Sequence, residues 1–308
     1  MTDVSSFNVE KQPLVSIGIP TYNRPVGLRK ALECATNQTY RNLEIIVSDN
    51  SSQSNKSEQV VREFMGRDSR VSYFHQSKNI GAISNFQFVL DKAKGEYFIW
   101  FADDDLCEKN FVNELVSCIE KDTRIALAMT DVRIIDDDDF LVKIETLDSI
   151  RECSATSGNN HDKMTGLFFR YPTSNIFFCI YGLYRTNIAK SCPLYTRSYR
   201  NYLFANEVPF LAKIASKGKI VSIPGPLKLY RTHADSAFIK EQSGITYIDK
   251  LIRDVEIRFQ LIGIALSSKL ILKKKLSLCG TIFKSGVENY GIRVYRIIVQ
   301  IIKKRKER

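Results

Sequence analysis

The sequence predicts an α/β fold, a mixed but mostly parallel sheet with helices on both faces, followed by a C-terminal basic helical tail. Three observations carry this reading. Short β-branched apolar runs alternate with segments of helical spacing through the first hundred residues, the order that builds parallel βαβ units. Each apolar run stops at polar or acidic residues. The positive charge is crowded at one end: residues 269–308 hold twelve Lys or Arg against two Glu, which is ten of the eleven net positive charges of the 308-residue chain.

Leu14–Pro20 (LVSIGIP) reads as a buried strand ended by proline. Arg24–Asn37 sets Val26, Leu28, Ala31, Leu32 and Ala35 at helical spacing. Leu43–Val47 is a second strand and Glu58–Met65 a second helix. Val71–Phe74 is a short strand, and Ile83–Lys94 a third helix closed by Gly95. Tyr97–Phe101 (YFIWF) is a buried strand running into Asp103-Asp104-Asp105. In parallel sheets ligands bind beyond the carboxyl ends of the strands. Four such ends, at Thr21–Arg24, Asp49-Asn50, Lys78-Asn79 and the Asp triplet, are expected to converge on one crevice.

The second half is less regular. Ile125–Thr130 reads as a strand, Asp136–Asp139 as a solvated loop, Phe204–Ser216 as a helix, Lys219–Ile223 as a strand and Tyr230–Ser236 as a loop. From Ile248 the pattern is helical to the end. The chain divides into a unit over 1–240, with halves 13–106 and 107–240, and an extension over 241–308.

At 44% apolar and 26% charged residues, a disordered or collagen-like chain is excluded. Seven Cys with no C-x-x-C spacing indicate neither a disulfide framework nor a zinc ribbon, so a reduced, cytoplasmic setting is expected. No apolar run reaches the roughly 18–20 residues of a membrane span, and Met1–Gln12 is too polar for a signal peptide.

Three adjacent carboxylates at a strand end repel one another unless something neutralises them. An oxygen-preferring divalent cation, Mg²⁺ or Mn²⁺, would do so while keeping positions open for substrate phosphates. A solvated acidic turn is the plain alternative.

Several segments together are more specific. VSIGIPTYNRP, then LEIIVSDNSS, then KNIGAISNFQFVLDKAKGEYFIWFADDD, then NEVPFLAKIASKGKIVSIPGPLKLYRTHADS occur in this order. Over residues 13–238 the chain thus resembles glycosyltransferase family 2, inverting nucleotide-sugar transferases of the GT-A (Rossmann-like) fold. The resemblance implies a catalytic domain over 1–240, with a nucleotide-binding half and an acceptor half. It implies that Pro20, Thr21 and Tyr22 line the base, that Arg24 lies near it, and that Asp49 accepts from the base edge. Asn79 and Gly81 shape the loop before the third helix, which carries Asn85. The triplet supplies the D-x-D-type contact to ribose and metal. Glu207 matches the general base, and His233 a residue near metal and diphosphate.

Two departures from the family pattern bear on register. Lys109 stands where many members have proline, which puts Ala102 at the first Asp of the motif. Asp104 is then the metal ligand, Asp103 faces the ribose and Asp105 is a second candidate; Asp103-x-Asp105 is the simpler alternative. Asn206-Glu207 replaces the usual Glu-Asp, which makes the base one methylene longer.

The resemblance further implies an Mn²⁺ or Mg²⁺ cofactor, a nucleotide-sugar donor with UDP first, and a saccharide or lipid-linked acceptor in bacterial surface polysaccharide synthesis. A nucleotidyltransferase is the competing enzyme, but its triphosphate cradle is Gly-rich, and Pro20-Thr21-Tyr22-Asn23-Arg24-Pro25 holds no glycine. A catalytically inactive anionic-surface-binding protein is the other alternative. No nucleic-acid partner is expected, because the body is near neutral. The basic amphipathic stretch over 269–308 suggests peripheral contact with an anionic membrane at its inner face.

Overall fold

Parallel strands covered on both faces are apolar throughout, and β1 (Val15–Thr21) is buried at every position. In the computed structural model, which describes residues 12–155, 167–168, 175–192, 194, 207–232 and 247–287, this strand is the centre of the N-terminal half. It leads to α1 (Pro25–Thr36), β2 (Leu43–Asp49), α2 (Lys56–Met65), β3 (Val71–His75), α3 (Ala82–Lys92) and β4 (Tyr97–Trp100). β1 pairs in parallel with β2 on one side and β4 on the other, and β2 pairs in parallel with β3. The direction of winding therefore reverses between β1 and β4, where doubly wound sheets open a ligand crevice.

The chain continues through β5 (Leu106–Cys107), α4 (Phe111–Ile119), β6 (Ile125–Ile135), β7 (Leu141–Glu145) and α5 (Asp148–Ala155). A 3₁₀ turn at Ile176–Tyr181 precedes β8 (Leu183–Arg185), α6 (Thr186–Lys190), α7 (Glu207–Lys217), β9 (Lys219–Arg231) and α8 (Tyr247–Ser267). A last described helix, α9, spans 272–287. The described residues form one nine-stranded sheet in the order β3-β2-β1-β4-β8-β6-β9-β5, with β7 added to β6. β8 is antiparallel to both β4 and β6, so the sheet is mixed and its parallel part is the N-terminal half together with the β6–β9 pair.

Three expectations for the second half are corrected. β6 runs to Ile135 rather than Thr130, because its charges are neutralised in place: Asp131 by Arg151 at 2.6 Å and Arg133 by Glu108 at 2.6 Å. β9 does not stop at Ile223 but continues to Arg231. Its Pro224-Gly225-Pro226 lies at a register shift against β6, where missing N–H groups and the positive φ of Gly225 are tolerated. Tyr230 and Arg231 are therefore strand, not loop. Asp136–Asp139 is the tight turn of the β6–β7 hairpin, and Asp136 Oδ1 accepts from the backbone of Asp138 and Phe140.

The core lies on both faces of the sheet, around Trp100, Phe98, Tyr97 and Tyr184. A second apolar cluster joins Ala212 of α7 to Ile257, Leu261, Ile264 and Ala265 of α8 and to Leu278 and Ile282 of α9. The described part of the C-terminal extension thus packs on α7. Helix does not run unbroken from Ile248, since residues 268–271 separate α8 from α9. Residues 288–308, with most of the basic tail, lie outside the described residues.

Candidate active site

The carboxyl ends of β1 and β4 meet at the triplet. Thr21 Oγ1 donates to Asp103 Oδ2 at 2.7 Å, joining the two strand ends directly. The first turn of α1 lies against the same loop. A Cβ on Gly27 would stand 2.3 Å from the Asp103 carbonyl oxygen, so only glycine permits the approach. Pro25 at the first helical position needs no N–H there.

The three carboxylates have three different environments. Asp103 is buried, and desolvation together with Asp104 pushes it up to about 7, partly offset by Arg24 and the Thr21 hydroxyl. Asp104 is the more exposed and is ion-paired to Arg24, whose Nη1 also lies 3.6 Å from Asp103. Asp105 turns inward. It pairs with Lys228 at 3.1 Å, both side chains being almost fully buried, and accepts from the Arg231 backbone N–H at 2.9 Å. Burial raises its pKa and Lys228 opposes the rise. Of the two metal candidates in the triplet, Asp105 is thus held inside by a lysine, and Asp104 faces the crevice.

Arg231 organises the surroundings. Its guanidinium donates to the carbonyls of Asp104 at 2.9 Å, Asp136 at 2.6 Å and Asp137 at 3.1 Å, and pairs with Asp139. Lys30 of α1 reaches the other Asp139 oxygen at 2.7 Å. The acidic turn is solvated, as expected, with Asp137–Asp139 exposed, and it also acts as a clasp between α1, the hairpin and the triplet.

Other expected residues are placed as follows. Arg24 is ion-paired to Asp104, and the same nitrogen lies 3.6 Å from Asp103. Pro20 is buried in β1 and Tyr22 is partly exposed at its end. Asp49 is 1% exposed; its oxygens accept from the Ser52 N–H at 2.8 Å and the Tyr73 hydroxyl at 3.1 Å, so its carboxylate is already engaged within the loop after β2. Asn79 accepts from Asn50 and from the Gly81 N–H, both at 2.9 Å. Gly81, at φ +85°, begins α3 in a conformation that favours glycine. Asn85 is buried between strand ends, accepting from the Ser48 hydroxyl at 2.6 Å and donating to the Ser48 carbonyl at 3.0 Å. It staples α3 to the end of β2. His233 lies outside the described residues.

Glu207 opens α7. One turn later Phe210 packs edge-on against Trp100 at 5.5 Å, which anchors the helix to β4. Tyr181 and Tyr230 pack together nearby, with ring centroids 6.2 Å apart. Burial raises both phenol pKa values, and Asp104, Asp105 and Glu207 add to the rise in each. Both rings thus feel the triplet and Glu207 together. Lys228 sits over Tyr181 at 5.0 Å and Phe101 at 5.6 Å. The sequence reading missed Lys228 and Arg231; the signal was a lone lysine within the apolar run Leu227–Tyr230.

The family model described as glycosyl transferase family 2 matches residues 16–191, more than half of the chain. A Campylobacter jejuni protein named GalNAc(5)-diNAcBac-PP-undecaprenol beta-1,3-glucosyltransferase is 43% identical over 94 residues, 30% of each chain. Rickettsial uncharacterized glycosyltransferases match likewise, this chain spanning 15–33% of their length. Among solved structures, Staphylococcus aureus TarS 1–349 with UDP-GlcNAc superposes at a TM-score of 0.65, with 14% identity over 88% of this chain and 72% of that one. The mannosyltransferase PcManGT of Pyrobaculum calidifontis, with GDP-Man and Mn²⁺, superposes at 0.54, with 13% identity over 91% and 88%. At these identities the two structures speak for the fold alone. The family match takes in β1 through α6, the strands that build the crevice and the triplet that closes it, and the chain belongs to glycosyltransferase family 2.

Proposed function

We propose that the protein transfers a sugar with inversion from a nucleotide-sugar to a saccharide or lipid-linked acceptor in bacterial surface-glycan synthesis. The observation that carries the reading is that Asp104, Asp105 and Glu207 all act on the same two phenols, Tyr181 and Tyr230, whose rings stand 6.2 Å apart, so that the triplet and the start of α7 belong to one site. An inverting displacement needs two things: stabilisation of the leaving diphosphate, and one carboxylate that takes the proton from the acceptor hydroxyl.

Asp103 and Asp104 fit a divalent ion. They offer hard carboxylate oxygens at one strand end, and a cation, Arg24, already balances them. Among the described residues no cluster of three His, Cys, Asp or Glu could hold a metal alone, so diphosphate oxygens and water would complete its shell. Bound there, Mn²⁺ or Mg²⁺ would neutralise charge developing on the leaving group. The protein's own residues do the rest. Thr21 fixes Asp103 at the mouth of the β1–β4 crevice, and Lys228 and Arg231 hold the loop from behind. Glu207 accepts the acceptor's proton at its carboxylate, and the transferred sugar lies between it and Asp104.

UDP is the nucleotide to test first, supported by the TarS complex and by Asp49, whose carboxylate keeps acceptor capacity for a base N–H beside its bonds to Ser52 and Tyr73. The Campylobacter relative's name supports a lipid-linked acceptor and a hexosyl donor, and the UDP-GlcNAc of the TarS complex supports an N-acetylhexosaminyl one. The test is donor hydrolysis and transfer by the full chain over a panel of UDP-, GDP- and dTDP-sugars with Mn²⁺. Asp104→Ala should abolish turnover, and Glu207→Gln should lower kcat about 10²-fold or more at similar donor affinity. Full turnover by Glu207→Gln would remove Glu207 as the base.

A further inference from the structure

Residues 269–287 carry Lys269, Lys273, Lys274, Lys275 and Lys284 and no acidic residue. The structure separates their apolar side chains into two sets. Leu278 and Ile282 are buried against α8, and Arg258 of α8 fastens the same face by donating to the Ile282 carbonyl at 3.0 Å and the Ser285 hydroxyl at 2.7 Å. Leu272, Leu276, Phe283 and Val287 are 68, 60, 74 and 58% exposed. With Gly280, also exposed, they fall within about 80° of one another around the helix at 3.6 residues per turn. Lys273 and Lys284 project along one flank of that stripe, and Ile271 just ahead of the helix is 63% exposed.

A helix held by one face, with a second apolar stripe bordered by lysines, has the pattern of an interfacial helix. No described helix is long and apolar enough to cross a membrane, so the contact is one that lies on the surface. The partner must accept both large apolar side chains and the excess of positive charge that residues 269–287 carry. We propose that α9 docks on an anionic lipid bilayer through Leu272, Leu276, Phe283 and Val287, with Lys273 and Lys284 at the headgroups. Leu278 and Ile282, although part of the same amphipathic sequence, serve the protein interior instead. The contact does not depend on the glycosyl-transfer reading.

Co-sedimentation of the full chain with vesicles of phosphatidylcholine and phosphatidylglycerol tests it. At low salt the wild-type protein should sediment with mixed vesicles, and at least tenfold less with phosphatidylcholine alone. Leu276→Asp with Phe283→Asp should lower partitioning at least tenfold with the thermal transition unchanged, since both side chains are exposed. Lys273→Glu with Lys284→Glu should remove the preference for anionic vesicles. The hairpin's exposed Leu141 and Val142 serve as control, and Leu141→Asp with Val142→Asp should sediment like wild type. Wild-type protein that ignores anionic vesicles, a Leu276/Phe283 variant that binds as before, or a hairpin variant that loses binding each overturns the proposal. So does a concentration-dependent dimer that Phe283→Asp abolishes, which would give the stripe to a second copy of the chain.

Discussion

Arg24 shows how adjacent carboxylates are kept tolerable at a strand end. Adjacent carboxylates at the end of a buried strand repel and are poorly solvated, and Asp103 is raised accordingly. The guanidinium of Arg24 supplies the missing positive charge, from a side chain that is 39% exposed and free to swing outward. It therefore competes with any cation for the same oxygens. Titration of Mn²⁺ by electron paramagnetic resonance, without nucleotide, should give about tenfold tighter binding to Arg24→Gln than to wild type, which is roughly 1.4 kcal/mol. Equal or weaker binding by the variant would show that the guanidinium is no competitor.

At the scale of elements, the packing of α1 on the triplet rests on Gly27. A methyl group there meets the Asp103 backbone at 2.3 Å, and a backbone atom cannot rotate aside as a flexible side chain would. Gly27→Ala should cost about 1–3 kcal/mol by overpacking, read as a lower melting temperature, and should weaken metal-dependent nucleotide binding as the loop shifts. A stable variant with unchanged binding would contradict that packing. The elements themselves were legible in the sequence to very different degrees. β1 through β4 announce themselves because parallel strands buried on both faces must be continuous apolar runs, and the helices between them carry apolar residues at helical spacing. β9 was hidden by Pro224-Gly225-Pro226, which end most strands but here fill a register shift. The ion pairs of β6 were hidden because Arg151 and Glu108 lie far from Asp131 and Arg133 along the chain. In the site, the strand ends at Thr21 and at the triplet were readable. Which carboxylate faces which way was not, since Lys228, over a hundred residues away, decides the orientation of Asp105.

For the molecule as a whole, Lys228–Asp105 is a buried charged bond that ties the loop after β4 to β9. Removing one partner of a buried pair leaves the other uncompensated, at about 3–5 kcal/mol, whereas replacing both by apolar residues is often neutral. Lys228→Met and Asp105→Leu should each lower the unfolding midpoint strongly, and the double variant should recover much of the loss. Additive losses in denaturant titrations would mean that the two residues act separately. Arg231 extends the same connection, reaching the Asp104 carbonyl from 127 positions further along the chain. That separation has a consequence for how the protein is made. The βαβ units up to β4 are built from neighbouring segments and can form as they are synthesised, but contacts between distant segments close late. Until the strand that begins at Lys219 has been made and docked, Asp105 has no lysine and the Asp104 carbonyl no arginine. A nascent chain halted before that point carries nearly every sequence mark of the family, and its acidic loop has nothing behind it to fix its shape.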